Sequence, residues 1–135
     1  MIVREIMSPE PWATSVKSSI RHVLEMLAEA DVRHLPILEE GALVGIVSDR
    51  DLRAVTALGD TVGDSEEKRR ALAEPVSSLM STNVISVYPD TEVSEVIDLM
   101  IEHRVGAIPV IEPDGSKLVG IVSYVDALRA ARDLL

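Results

Sequence analysis

The chain has 135 residues, 47% of them hydrophobic, no cysteine, and a formal net charge of −10. That length fits one domain or two half-domains sharing a core, the apolar content excludes a disordered chain, and the missing thiols exclude disulfides and thiolate metal centres. The acidity opposes a general nucleic-acid binder, whose partner's phosphates need a basic footprint, and aromatics at 2% (Trp12, Tyr88, Tyr124) leave almost no stacking platform for bases.

In chain order, a lead-in Val3–Met7 with Ser8 precedes an extended piece, Ala13–Val16. Ser18–Asp31 then places Ile20, Val23, Leu24, Leu27 and Ala28 at helical spacing, with Ser18 as the predicted N-cap. A strand at Leu35–Leu38 turns through Glu39-Glu40-Gly41 into a second strand, Ala42–Val47, whose nearly continuous apolar run predicts burial on both faces. A terminal helix follows at Asp49–Ala57. Leu58–Glu74 reads as an exposed connection with a helical turn or two, its Glu66–Arg70 run forming a solvated face.

The same order then recurs. Val84–Tyr88 is extended and Thr91–Arg104 is helical, with Thr91 as N-cap. Ile108–Ile111 and Leu118–Val122 are strands joined by Pro113-Asp114-Gly115, and Tyr124–Leu134 is the closing helix. Gly41 and Gly115 are both expected to supply the positive φ of a tight hairpin.

Residue identities recur with the elements. Val3, Met7, Ser8, Val23, Glu29, Val32, Pro36 and Glu39 reappear 73 positions later as Val76, Met80, Ser81, Val96, Glu102, Val105, Pro109 and Glu112. Leu-Val-Gly-Ile-Val-Ser occupies both Leu43–Ser48 and Leu118–Ser123, 75 apart, each followed three positions after the Ser by an Asp, Asp51 or Asp126. The chain is two copies of a β-α-β-β-α unit, an α+β fold. The expected division is 1–57 for the first copy, 58–74 for the connection and 75–135 for the second.

The repeated junction carries the chemistry. Gly45 and Gly120 allow close approach of a ligand or a neighbouring backbone. Ser48 and Ser123 end a strand at the mouth of a helix, where N–H groups favour an anion. Asp51 and Asp126, one turn on, suit the two hydroxyls of a ribose, as the acidic residue of dinucleotide folds does. Ser-x-x-Asp before an apolar run is equally a helix capping box, contributing ~1 kcal/mol with no ligand. Its occurrence in both copies behind an identical strand favours binding. His22 and His103 have no Cys or HxxxH partner and read as solvated residues. No P-loop or Ser–His–Asp arrangement is present, which predicts a protein that is not an enzyme.

With these motifs in register, the chain resembles a tandem pair of CBS (cystathionine β-synthase) domains, a Bateman module. The likeness rests on Val3–Ser8, on Arg33-His34-Leu35-Pro36-Ile37 and Gly106-Ala107-Ile108-Pro109-Val110, and above all on Gly45–Asp51 and Gly120–Asp126. The resemblance implies two units packed through their sheets about a pseudo-twofold axis, with clefts between them. It implies AMP, ADP or ATP as ligand, or S-adenosylmethionine or NAD, with no cofactor required. Hydroxyls at Ser48 and Ser123 would lie near phosphate, Asp51 and Asp126 on ribose, and Ile46 and Ile121 would belong to the same clefts.

Arg33 and His34 occupy what looks like the family's phosphate-facing position, whereas the second copy has Gly106 and Ala107 there. The two clefts are therefore expected to differ: one preferring a polyphosphate and the other a neutral adenosyl group, or one vestigial. Arg33 paired with a surface carboxylate is the competing reading. Met7 and Met80 are expected to pack beside the clefts, and Tyr124 to lie against a base or pack at the surface. The family also implies a homodimer, with Leu128, Leu134 and Leu135 as apolar contacts, and an unnamed protein target. No run reaches the ~18 apolar residues of a membrane span, and no signal pattern opens the chain. The expected location is cytoplasmic.

Overall fold

The computed structural model describes residues 1–58 and 65–135. The part of the connection at 59–64, including its two glycines, lies outside the described residues. The chain divides into two compact units, and these are not the two sequence repeats. One holds Met1–Pro11, Gly41–Leu43 and Ile85–Leu135; the other holds Trp12–Glu40 and Val44–Val84. Each repeat's lead-in thus folds with the other repeat's body. We name the units by their bodies.

In the first-repeat unit, β2 (Thr14–Ser15) pairs in parallel with β3 (His34–Glu39), which is hydrogen-bonded to β4 (Ala42–Ser48). The outer side of β4 receives Ser81, whose amide and carbonyl exchange hydrogen bonds with Ile46 at 2.9 and 3.0 Å. Helix α1 (Ile20–Ala30) lays Ile20, Val23 and Leu27 onto Leu35, Ile37 and Val47, with Leu52, Val55 and Val76 completing the core. Full burial of each such aliphatic side chain contributes roughly 1.5–3 kcal/mol. The opposite face of α1 exposes Arg21, His22, Glu25 and Glu29. A left-handed Asp31 (φ 53°) ends it.

Ser19, not Ser18, is the N-cap, accepting the His22 amide at 3.1 Å. Ser18 is held one residue upstream, where its carbonyl accepts the Val76 amide at 2.7 Å and its hydroxyl meets Thr14. The terminal helix α2 is only Arg53–Thr56. Asp49–Leu52 winds tighter, through i→i+3 bonds from Leu52 to Asp49 and from Arg53 to Arg50. The connection contains a full helix, α3 (Ser65–Ala73), which adds Ala71 and Leu72 to the core edge while Glu66 and Arg70 pair across its surface at 3.5 Å.

The second-repeat unit has the same plan. β1 (Ser8–Pro9) pairs antiparallel with β6 (Leu118–Ser123), which pairs with β5 (Ala107–Ile111). Val87 stands where β2 stands in the other sheet, bonding Pro109 and Ile111. Helix α4 (Val93–His103) buries Val93, Val96 and Met100, and α5 (Tyr124–Arg132) buries Ala127 and Ala130. The turn Val3–Glu5 seats Val3, fully buried, against Thr91 through a 2.8 Å amide bond.

Three further expectations change here. The N-cap of α4 is Glu92 with no side-chain bond, because the Thr91 hydroxyl accepts the Tyr88 amide at 3.0 Å instead. Gly41 has φ +82° beside Glu40 at +50°, as a two-residue hairpin requires, whereas Gly115 has no positive φ. The longer second hairpin makes a turn from the Glu112 carbonyl to the Gly115 amide, with Pro113 at its second position. The second strands are buried on one face only: Val47 and Val122 are inaccessible, while Ile46 and Ile121 are half-buried, as is Val44. No helix among the described residues is long and apolar enough to cross a membrane.

Candidate functional site

Both Ser-x-x-Asp junctions close into the same ring. The Ser48 amide donates to Asp51 Oδ2 at 2.9 Å and the Asp51 amide to Ser48 Oγ at 3.2 Å. Ser123 and Asp126 repeat both distances, and the Ser123 hydroxyl also donates to Oδ2 at 3.0 Å. In the second copy this is a reciprocal capping box at the start of α5; in the first the same ring closes over the Asp49–Leu52 turn ahead of α2. The ring also has a chemical remainder: the second carboxylate oxygen, Oδ1, has no hydrogen-bond partner in either copy among the described residues.

The amide inventory limits what an anion would find. The Asp49 amide goes to the Arg33 carbonyl and the Tyr124 amide to the Gly106 carbonyl, both at 2.9 Å. With the Ser and Asp amides also committed, these helix mouths offer few free N–H groups. Charge for a phosphate must therefore come from side chains.

Gly45 and Gly120 are explained by contacts with the protein's own lead-in segments, a methionine side chain and a serine carbonyl at each. A Cβ on Gly45 would lie 2.6 Å from Met80 Sδ and 3.1 Å from the Ser81 carbonyl; on Gly120 it would lie 2.5 Å from Met7 Sδ and 3.1 Å from the Ser8 carbonyl. The close approach is that of the lead-in. Met7 and Met80 are thus each locked onto a strand glycine.

Arg33 is exposed, with no ion pair among the described residues, and its carbonyl ties β3 to the junction. His34 is half-buried beside it. Burial pushes its imidazole below the ordinary histidine value; Asp49 and Asp51 pull it back up, and Arg33 adds to the lowering. The lowered proton affinity of His34 leaves Arg33 as the permanent cation of this segment, beside the Asp49 and Asp51 carboxylates. Gly106 and Ala107 bring no side-chain donor to the second junction, and Ala107 is buried.

The folded state binds the His34 proton less tightly than the unfolded chain. Its contribution to stability is present above about pH 6.5 and is lost as pH falls through the lower folded value. Denaturant unfolding from about pH 7.5 down to about pH 5 should show wild type losing stability more steeply than His34→Gln. Parallel curves would contradict this.

One feature of the second junction escapes the repeat pattern. Asp126 lines a cavity of about 360 Å³ together with Met1, Glu5, Ile6, Arg129 and Asp133. Arg129 is one helical turn beyond Asp126. Its counterpart 75 residues earlier is Ala54, so comparison of the copies hides it; the i, i+3 spacing on α5 is the signal that reveals it. His22 is exposed on α1, and His103 faces Glu102 at 4.0 Å. No group of three metal-ligating side chains occurs among the described residues. Tyr124 is 47% exposed.

Known proteins share this fold. The model of the CBS domain matches residues 3–57 and again 76–133. The chain is 27% identical over 124 residues to the CBS domain-containing protein YhcV of Bacillus subtilis (strain 168), spanning 92% of this chain and 81% of that protein. CBSX2 in complex with AMP is similar at a TM-score of 0.80 and 28% identity, over 98% of this chain and 97% of that one. The CBS domain pair of MJ0100, in complex with 5′-methylthioadenosine and S-adenosyl-L-methionine, is similar at 0.81 and 27%, over 100% and 98%. With both copies matched in sequence and in fold, the chain belongs to the CBS domain family and is a tandem CBS pair.

Proposed function

We propose that the chain is a non-enzymatic regulatory module that binds an adenosyl ligand at its Ser-x-x-Asp junctions and passes the bound state to a partner protein. The observation carrying this reading is the pair of matching Ser–Asp rings, each with a carboxylate oxygen left over for a ribose diol. The similar CBSX2 and MJ0100 structures hold AMP, 5′-methylthioadenosine and S-adenosyl-L-methionine, which supports the ligand class. A ligand that favours one conformation shifts its population, and a partner that distinguishes the conformations reads the change. The working place of such a sensor is the cytoplasm. Calorimetric titration with AMP, ADP, ATP, NAD, 5′-methylthioadenosine and S-adenosylmethionine should give saturable heat with at least one. Silence from all six would end the reading.

A second reading, constitutive assembly, has its own observation. On the second-repeat helices Ile101 is 72% exposed and Leu128 63%. The first-repeat helices present charge, and α3 packs against α1 and α2. Self-association through α4 and α5 gives a two-fold homodimer. Sedimentation should show a dimer that Leu128→Glu converts to single chains without loss of ligand binding. A wild type that sediments as one chain removes assembly.

A further inference from the structure

The second junction lacks the Arg33–His34 pair, yet it carries a cation from another element. We propose that Arg129 reads the phosphate of a ligand whose ribose sits on Asp126, so that this junction selects a 5′-phosphorylated adenosine over a neutral adenosyl compound. The inference rests on the ligand class proposed above and assigns a phosphate-reading cation to the junction where Gly106 and Ala107 supply none.

Four observations carry it. Asp126 and Arg129 line one cavity in the same compact unit. They stand at i and i+3 on α5, where Cβ atoms are roughly 5–6 Å apart, so both side chains leave the same face of the helix. Each carboxylate of that cavity has a contact other than Arg129: Glu5 accepts the Ile2 amide at 2.8 Å, Asp126 accepts the Ser123 amide through Oδ2 and keeps Oδ1 free among the described residues, and Asp133 lies 3.9 Å from Arg132. Arg129 itself has no ion-pair partner among the described residues.

An exposed guanidinium beside three carboxylates, paired with none of them, is placed to accept an incoming anion. Without it the acidic lining would repel a phosphate. The terminal amine, the other cation of the cavity, is 3.6 Å from Glu92 and so is held elsewhere. A volume of about 360 Å³ lies at the low end of the ~300–1,000 Å³ of small-ligand sites.

The test silences the first junction with Asp51→Ala and titrates AMP and adenosine into that background. Adding Arg129→Gln should weaken AMP roughly 10-fold and leave adenosine within about 2-fold, because a charge-assisted contact to phosphate is lost and nothing else changes. Arg129→Lys should restore part of the AMP affinity, and circular dichroism should show α5 intact in both. Equal weakening of AMP and adenosine, or of neither, overturns the role of Arg129 while the ligand class stands. If neither compound binds this background, or Asp126→Ala changes nothing, the second junction is not an adenosyl site and the role of Arg129 falls, while the wild-type titration with all six compounds decides the ligand class separately.

Discussion

Gly120→Val is expected to destabilise the second-repeat unit by about 3 kcal/mol, at the upper end for overpacking a filled strand interior. Exchange of a strand glycine for a residue with a side chain ordinarily gains ~0.5–1 kcal/mol, since glycine loses most backbone freedom on folding. Here the contact outweighs that gain. The first added carbon would lie 2.5 Å from Met7 Sδ and 3.1 Å from the Ser8 carbonyl, and valine adds two methyls beyond it. The thioether can move only by giving up its place against the core, and the carbonyl cannot move, because Ser8 and Pro9 pair with Ile121 and Gly120 in the β1–β6 ladder. Relief therefore requires the lead-in to leave the sheet, which exposes the buried Val3.

Urea unfolding should show the loss, and hydrogen exchange should localise it to the Val3 and Arg4 amides that bond Thr91 and Pro89. Met7→Ala in the same chain should recover part of the stability, with a coupling of roughly 1 kcal/mol or more for residues in direct contact. Additive losses would mean that the methionine is not the obstacle. Gly45→Val with Met80→Ala is the matching cycle in the other unit.

The methionines also mark the limit of what the repeat reveals. Spacing pairs Met7 with Met80 as equivalents, so it identifies both as packing residues but cannot say which strand glycine each covers. The exchange of lead-ins is a matter of chain path, and only three-dimensional contacts decide it. The elements themselves were legible because a 3.6-residue apolar period and short apolar runs bounded by glycine recur twice. Their ends were less so. Ser18 and Ser19 are both good caps, and a 2.7 Å bond from Val76, distant in sequence, selects between them. Thr91 is diverted in the same way by Tyr88. Gly41 and Gly115 look alike until hairpin length separates their conformations. In the candidate site, Ser48, Asp51, Ser123 and Asp126 stood out because they are duplicated. Arg129 did not, since a residue peculiar to one copy leaves no mark on the repeat.

Asp51→Ala together with Asp126→Ala is expected to weaken adenosyl binding at least about 100-fold, since each carboxylate would otherwise hold a ribose diol through two charge-assisted hydrogen bonds. The same substitutions open both Ser–Asp rings, at a cost of ~1 kcal/mol for the helix cap at Ser123. The two consequences separate by comparison with Ser48→Ala and Ser123→Ala. Those changes remove the hydroxyl that accepts the Asp amide at 3.2 Å but keep the carboxylate and its 2.9 Å bond from the Ser amide. The serine variants should therefore lose comparable stability and far less affinity. Asp51→Asn with Asp126→Asn falls between them, retaining an acceptor without its charge. Thermal unfolding and calorimetry on the same preparations give both axes. If the aspartate and serine variants melt alike and bind alike, the duplicated pair is a helix cap twice over, and the adenosyl ligand must be held by other atoms.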